Sequence, residues 1–172
     1  MVLDTVSELL DLPNLRVIAV GLTPDHLTIT ASSEVMSAAC PLCHTLSHRV
    51  HSHYERTVLD LNWGTRTVTL VLVVRRFFCE MKTCLRQIFT ERLPEAVASY
   101  ARRTNRLRDE LEALAFELGG EAGTRVAHRL RYGLSSADSL LRLIRRAPVT
   151  VPPTPRCLGV DDWALKKGHT YA

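Results

Sequence analysis

A chain of 172 residues, 46% of them hydrophobic, is long enough to bury a core as one domain or two small ones. No apolar run approaches the ~20 residues a membrane-spanning helix needs, and no basic segment followed by an apolar one opens the chain, so a soluble protein of a reducing cytoplasm is expected. The formal net charge of +4 is unevenly spread: residues 1 to 39 hold Arg16 against five acidic residues, whereas residues 40 to 146 hold eighteen Lys and Arg against eleven Asp and Glu. A positive middle behind a negative leader suits a polyanionic partner.

Residues 3 to 10 (LDTVSELL) carry apolar positions at helical spacing until Pro13 stops them, which predicts a short helix. The β-branched runs LRVIAVGL and HLTITAS follow, joined by Thr23-Pro24-Asp25, whose Pro and Asp suit the first positions of a turn, so a hairpin is predicted. It leads into Cys40-Pro-Leu-Cys43. A second close pair, Cys79 and Cys84, comes after a stretch rich in Val, Thr and Leu.

Two close pairs of thiols can set four sulfurs at the corners of a tetrahedron around one Zn²⁺, as in a zinc ribbon. The gap between the pairs is longer than usual for such sites. Residues 47 to 59 and 65 to 76 read as two strands turning at Asn62-Trp63-Gly64, however, and a hairpin there brings the two knuckles together at its base. Buried or disulfide-bonded cysteines are the alternative, which a reducing compartment disfavours, and iron in the same four-thiolate cage is another. Zinc ligation is worth about 10–16 kcal/mol in small zinc domains, so this part is expected not to fold without its ion. Cys157, between Arg156 and the apolar Leu158, reads as a core thiol.

His44, His48, His51 and His53 crowd the same region and are not needed as ligands; they read as surface or phosphate-contacting groups. Trp63 reads as a cap on the small core, with base stacking as the alternative. Arg75-Arg76-Phe77-Phe78 and Arg86-Gln87-Ile88-Phe89 flank the second knuckle with alternating cationic and aromatic groups. Their Phe side chains read as core and their Arg side chains as a solvated rim able to hold phosphates.

Beyond Pro94 the apolar period changes from two to 3.6. Leu107, Leu111, Leu114, Ala115 and Leu118 form one stripe, introduced by Arg102, Arg103, Arg106 and Arg108 and ended by Gly119-Gly120. A second helix is predicted over about Glu121 to Arg131, with Gly133 after it. Ser135-Ser136-Ala137-Asp138 then reads as an N-cap with its carboxylate three residues on, opening a third helix with Ala137, Leu140, Leu141 and Ile144 inward and Pro148 at its end. Three short helices with a Gly-containing turn before the last are the pattern of a helix-turn-helix. In that arrangement Ser136, Ser139 and Arg142 would meet base edges, with Arg145 and Arg146 near the DNA backbone; a plain three-helix bundle gives similar stripes. Residues 147 to 156 hold four prolines in ten and read as a semi-rigid linker. After it, Cys157 to Val160 look like a buried strand running into Asp161-Asp162-Trp163.

Together, Cys40-Pro-Leu-Cys43, the Arg75-Arg76-Phe77-Phe78-Cys79 run with Cys84 and Phe89, Tyr100-Ala101-Arg102-Arg103-Thr104, Leu118-Gly119-Gly120 and the segment from Leu158 to His169 resemble the ISL-three family of bacterial insertion-sequence transposases. The resemblance spans nearly the whole chain, and the order of the pieces is more specific than any one of them. It implies an α+β architecture: a β-rich zinc-ribbon-like domain (1–92), a helix-turn-helix domain (97–147) for the element's terminal inverted repeats, a Pro-rich linker (148–156), and the start of a ribonuclease-H-like domain (157–172). Asp161 would be the first carboxylate of an Asp-Asp-Glu triad, in preference to Asp162, where many relatives carry Glu. That chemistry uses two Mg²⁺ ions about 3.5–4 Å apart, which three carboxylates must hold. The residues after Asp162 supply neither of the other two, so this polypeptide is expected to bind double-stranded DNA without catalysing transposition alone. A homo-oligomer through the remainder of the catalytic domain is a further expectation. The contrasting reading is a stand-alone zinc-ribbon and helix-turn-helix regulator, which has no use for a strand delivering paired aspartates.

Overall fold

The computed structural model describes residues 2–133 and 136–148, together with Thr154 and Cys157. The chain opens with helix α1 (Val2–Leu10), then forms strands β1 (Leu15–Leu22) and β2 (His26–Ser33), a short ribbon of β3 (Ala38–Ala39) and β4 (Leu46–Ser47), the long strands β5 (Val50–Trp63) and β6 (Arg66–Phe78), and β7 (Ile88–Thr90). Helices α2 (Asn105–Arg129) and α3 (Ala137–Arg146) complete it. Asp161 and the segment read as the beginning of a catalytic domain lie outside the described residues.

Both sequence-predicted hairpins form: β1 pairs antiparallel with β2, and β5 with β6 across a turn at Gly64. What joins them is a parallel pairing of β2 with β6, from His26 opposite Thr67 to Ser32 opposite Val73. The sheet order is therefore β1-β2-β6-β5, with β7 added to the far end of β6. The reason lies in alternation along β6. Val68, Leu70, Leu72 and Val74 are buried on one face, where they meet Ile29 and Ala31 of β2, Val17 of β1, Val58 of β5 and Leu10 at the end of α1. Flanked by β2 and β5, β6 places this buried face at the middle of the sheet. Trp63 packs against this core, as its capping role requires.

β5 serves two cores. Val58 enters the sheet core, while Leu59 and Leu61, of opposite parity, reach a second cluster of Leu107, Leu111 and Ala115 from the first half of α2, Ala127 from its second half, and Leu140 of α3. The backbone ties the two together as well: the Leu59 N–H donates to the Arg102 carbonyl at 3.0 Å, and the Thr104 N–H donates to the Leu59 carbonyl at 2.9 Å. Between the cores sits Asp60, 1% exposed. Its carboxylate accepts from Arg106 Nε and the Thr104 hydroxyl, each at 2.7 Å, and pairs with Arg106 Nη2. The same Thr104 hydroxyl accepts the Leu107 N–H at 3.3 Å, so one side chain caps α2 and orients the buried carboxylate.

The expected stop at Gly119-Gly120 is met: the span named α2 is two helices joined across a kink at Gly119. Gly119 adopts φ 70°, ψ −172°, and helical geometry resumes immediately. The change of direction explains why Leu118, read as part of the inner stripe, is 43% exposed. The second half of α2 then lies close against α3, with a β-carbon at Gly120 falling 3.1 Å from Leu141 Cγ and one at Gly123 3.0 Å from Leu140 Cδ1. Gly119 has no atom within 4 Å of where its β-carbon would stand, so the position needs glycine for its backbone alone. That region of conformational space is almost restricted to glycine. Gly119→Ala is expected to lower stability by about 1–3 kcal/mol, read as a fall in the thermal midpoint by circular dichroism; an unchanged midpoint would mean the break relaxes without cost.

Candidate metal centre and nucleic-acid interface

The first cysteine pair sits on the turn of the β3–β4 ribbon. Ala38 pairs with Ser47 and Ala39 with Leu46, and the turn closes through the Cys40 N–H to the Thr45 carbonyl and the His44 N–H to the Cys40 carbonyl, both at 2.9 Å. His44 takes a positive φ of 59° to complete it. The second pair lies between β6 and β7. There the Cys79 N–H donates to the Gln87 carbonyl at 2.7 Å, the Cys84 N–H to the Met81 carbonyl at 3.1 Å, and the Arg86 N–H to the Cys84 sulfur at 3.4 Å.

The four sulfurs converge. All lie within 4.8 Å of one another, with Cys43 and Cys79 Sγ 3.5 Å apart and Cys40 and Cys84 Sγ 4.0 Å apart. A tetrahedral ion with Zn–S bonds of about 2.3 Å needs sulfur–sulfur edges of about 3.8 Å, a value that lies between these two separations, whereas a disulfide needs about 2.05 Å. The donor set therefore fits Zn²⁺ and not a pair of disulfides. Beneath it, Phe77 of β6 and Phe89 of β7 stack with ring centroids 5.9 Å apart, and both are buried with Cys40. Since β7 pairs Phe89 with Phe77, the same pairing that extends the sheet positions the metal cage on its end.

The Thr45 hydroxyl's hydrogen bond holds the Cys43 thiol down to about 6, while burial pushes Cys79 up to about 12. An entering ion displaces protons, so affinity weakens as pH falls. His44, His48, His51 and His53 are all exposed, and the cluster consists of the four cysteines. Cys157 is exposed rather than a core thiol; the strand expected to bury it lies outside the described residues.

The cationic residues divide sharply. Arg75, read as part of a solvated rim, is instead largely buried: its Nη2 pairs with Glu91 Oε2 at 2.7 Å, its backbone N–H donates to Glu91 Oε1 at 2.7 Å, and its guanidinium lies 5.3 Å from the Phe77 ring centre. A carboxylate arriving on the segment after β7 consumes it. Arg76 remains exposed over Tyr54, and Arg49 over Phe78. On α3, Arg142, Arg145 and Arg146 are exposed, while Leu140, Leu143 and Ile144 face the helical core. The cap of α3 is Ser136 and not Ser135. Its hydroxyl accepts the Ser139 N–H at 3.2 Å and lies 2.9 Å from the Ser139 hydroxyl, so both serines are engaged in capping. Arg102 is exposed and Arg103 half-buried at the junction with β5, where burial lowers the Arg103 pKa. The buried pairs Asp60–Arg106 and Glu91–Arg75 escaped the sequence reading. Asp60 shares its strand face with Ser52, Arg56 and Asn62 as well as Val58, so nothing in the alternation singled it out.

Two knuckles, a ribbon and four converging thiols define a small β-rich domain with a four-cysteine zinc-type cluster. Residues 37–84 match the family described as the zinc-finger of transposase IS204/IS1001/IS1096/IS1165, a span that holds all four cysteines and the β5–β6 hairpin between them. The match supports that family for this domain. No curated protein and no solved structure matches the chain. No helix among the described residues is long and apolar enough to cross a membrane.

Proposed function

We propose that this chain is the DNA-binding, amino-terminal part of an insertion-sequence transposase, which recognises the element's terminal inverted repeats through the helical unit that a zinc-held sheet supports. The observation that carries the reading is the four-cysteine cluster inside residues 37–84, on a sheet whose strand β5 also forms part of the helical core. A metal site placed there rigidifies β5 and β6, and β5 in turn fixes α2 and α3. The exposed Arg142, Arg145 and Arg146 of α3 supply the positive face, with Arg102 beside it. In this reading α3 enters the major groove, Arg142 meets base edges, and Arg145 and Arg146 meet phosphates. In the same reading, Asp161 is the first carboxylate of a ribonuclease-H-like domain, whose two-Mg²⁺ phosphodiester chemistry requires two further carboxylates.

The zinc-loaded chain is expected to bind a duplex carrying the terminal repeat more tightly than a scrambled duplex at the same salt concentration, measured by fluorescence anisotropy. Equal affinity for the two would overturn the reading. Arg142→Ala is expected to cost about 1–3 kcal/mol on the repeat and much less on the scrambled duplex; a uniform loss on both would assign Arg142 to the phosphate backbone.

A further inference from the structure

Tyr100 combines two unusual features. It is 89% exposed, and it holds a positive φ of 61°, a conformation that an aromatic residue rarely adopts. A lone exposed ring is ordinary, but one held in a strained backbone conformation points to a role outside local packing. The surroundings offer one. Tyr100 stands where two clefts meet, of about 680 Å³ and 1200 Å³, both of which it lines together with Ala98, Ser99, Asn105 and Arg108. The first cleft runs toward the metal knuckle, past Arg92 and Arg86 to Pro41. The second runs past Arg102 to Leu143 and Arg146 at the end of α3.

The free charge of this trough is predominantly positive, with Glu112 the carboxylate on the wall of the second cleft that no cation among the described residues neutralises. Glu91 is consumed by Arg75, and Asp109 pairs with Arg108 at 2.7 Å. Arg56 is spent on the carbonyls of Ala98 and Ala101. Arg86, Arg102 and Arg146 are exposed, and the Arg92 guanidinium lies 5.6 Å from the centre of the Tyr100 ring. A ring backed by a cation on one face and open on the other, between two basic clefts, matches the stacking platforms that hold unpaired bases. Paired bases inside a duplex offer no free face to such a ring, so the fitting ligand is single-stranded.

We infer that Tyr100 stacks on an unpaired nucleotide, with Arg86 and Arg92 on one side and Arg102 and Arg146 on the other taking the flanking phosphates. This deepens the DNA-binding reading above, adding to the duplex contact of α3 a contact with an unpaired strand at the duplex end.

The test uses the zinc-loaded full chain and three probes: a blunt duplex bearing the terminal repeat, the same duplex with a short unpaired tail, and a short oligothymidylate. The tail is expected to tighten binding about tenfold, the scale of one stacked base. Tyr100→Ala should abolish that gain and Tyr100→Phe should keep it, while both bind the blunt duplex as the parent does. Tyr100→Asn, which tolerates the positive φ, should melt no lower than the parent yet lose the gain, separating the ring from the fold. A tail that adds nothing, a gain that survives Tyr100→Ala, or a gain lost equally in Tyr100→Phe overturns the stacking role. If the blunt duplex is ignored while oligothymidylate is bound through Tyr100, the platform stands and the terminal-repeat reading falls.

Discussion

Cys79→Ser is expected to lose zinc and the order of the β-rich region together. Serine offers a poor ligand at a corner where the sulfurs already approach to 3.5 Å, and the cage cannot close on three thiolates without drawing in another donor. The consequence spreads because the second knuckle holds β7 in place: Cys79 N–H binds the Gln87 carbonyl one residue before β7 begins, and Phe89 of β7 is the lid on Phe77. Ligation of about 10–16 kcal/mol is comparable with a whole domain's net stability of about 5–15 kcal/mol. Zinc content by atomic absorption should fall, and circular dichroism of the purified variant should show reduced strand signal. Loss of zinc with an unchanged spectrum would mean that the sheet core of Val68, Leu70, Leu72 and Val74 sustains itself.

Arg106→Ala is expected to destabilise the protein by about 3–5 kcal/mol, the cost of leaving a buried charge without its partner. Asp60 has no exposed side-chain surface, and with Arg106 gone only the Thr104 hydroxyl remains to satisfy its carboxylate. The position matters more than the bond. Asp60 stands between the sheet core and the helical core, and Thr104, which it engages, also caps α2. Chemical denaturation should therefore show a lower midpoint, and repeat binding should weaken at temperatures near the transition. Replacing both members by apolar residues, Asp60→Leu with Arg106→Met, should recover much of the loss, since a buried pair exchanged for packed side chains is often neutral. A single variant as stable as the parent would show that water reaches Asp60.

Much of this molecule was legible from residue order because its signals are local. Two thiol pairs, each on a tight turn, announce a metal cage without any knowledge of the fold between them. Period-two runs mark β1, β2, β5 and β6, and the period-3.6 stripe of Leu107, Leu111 and Ala115 marks α2, because each pattern reports one face of one element. What the chain order could not reveal was which elements become neighbours. The parallel pairing of β2 with β6 joins residues some forty positions apart, and no turn residue encodes it. The fate of individual charges was hidden for the same reason. Arg75 and Arg76 are adjacent in sequence and alike in chemistry, yet one is buried against Glu91 and the other is exposed over Tyr54. A side chain's own type sets what it can bond to; only the packing of the whole chain decides whether a carboxylate, an aromatic ring or water arrives to meet it.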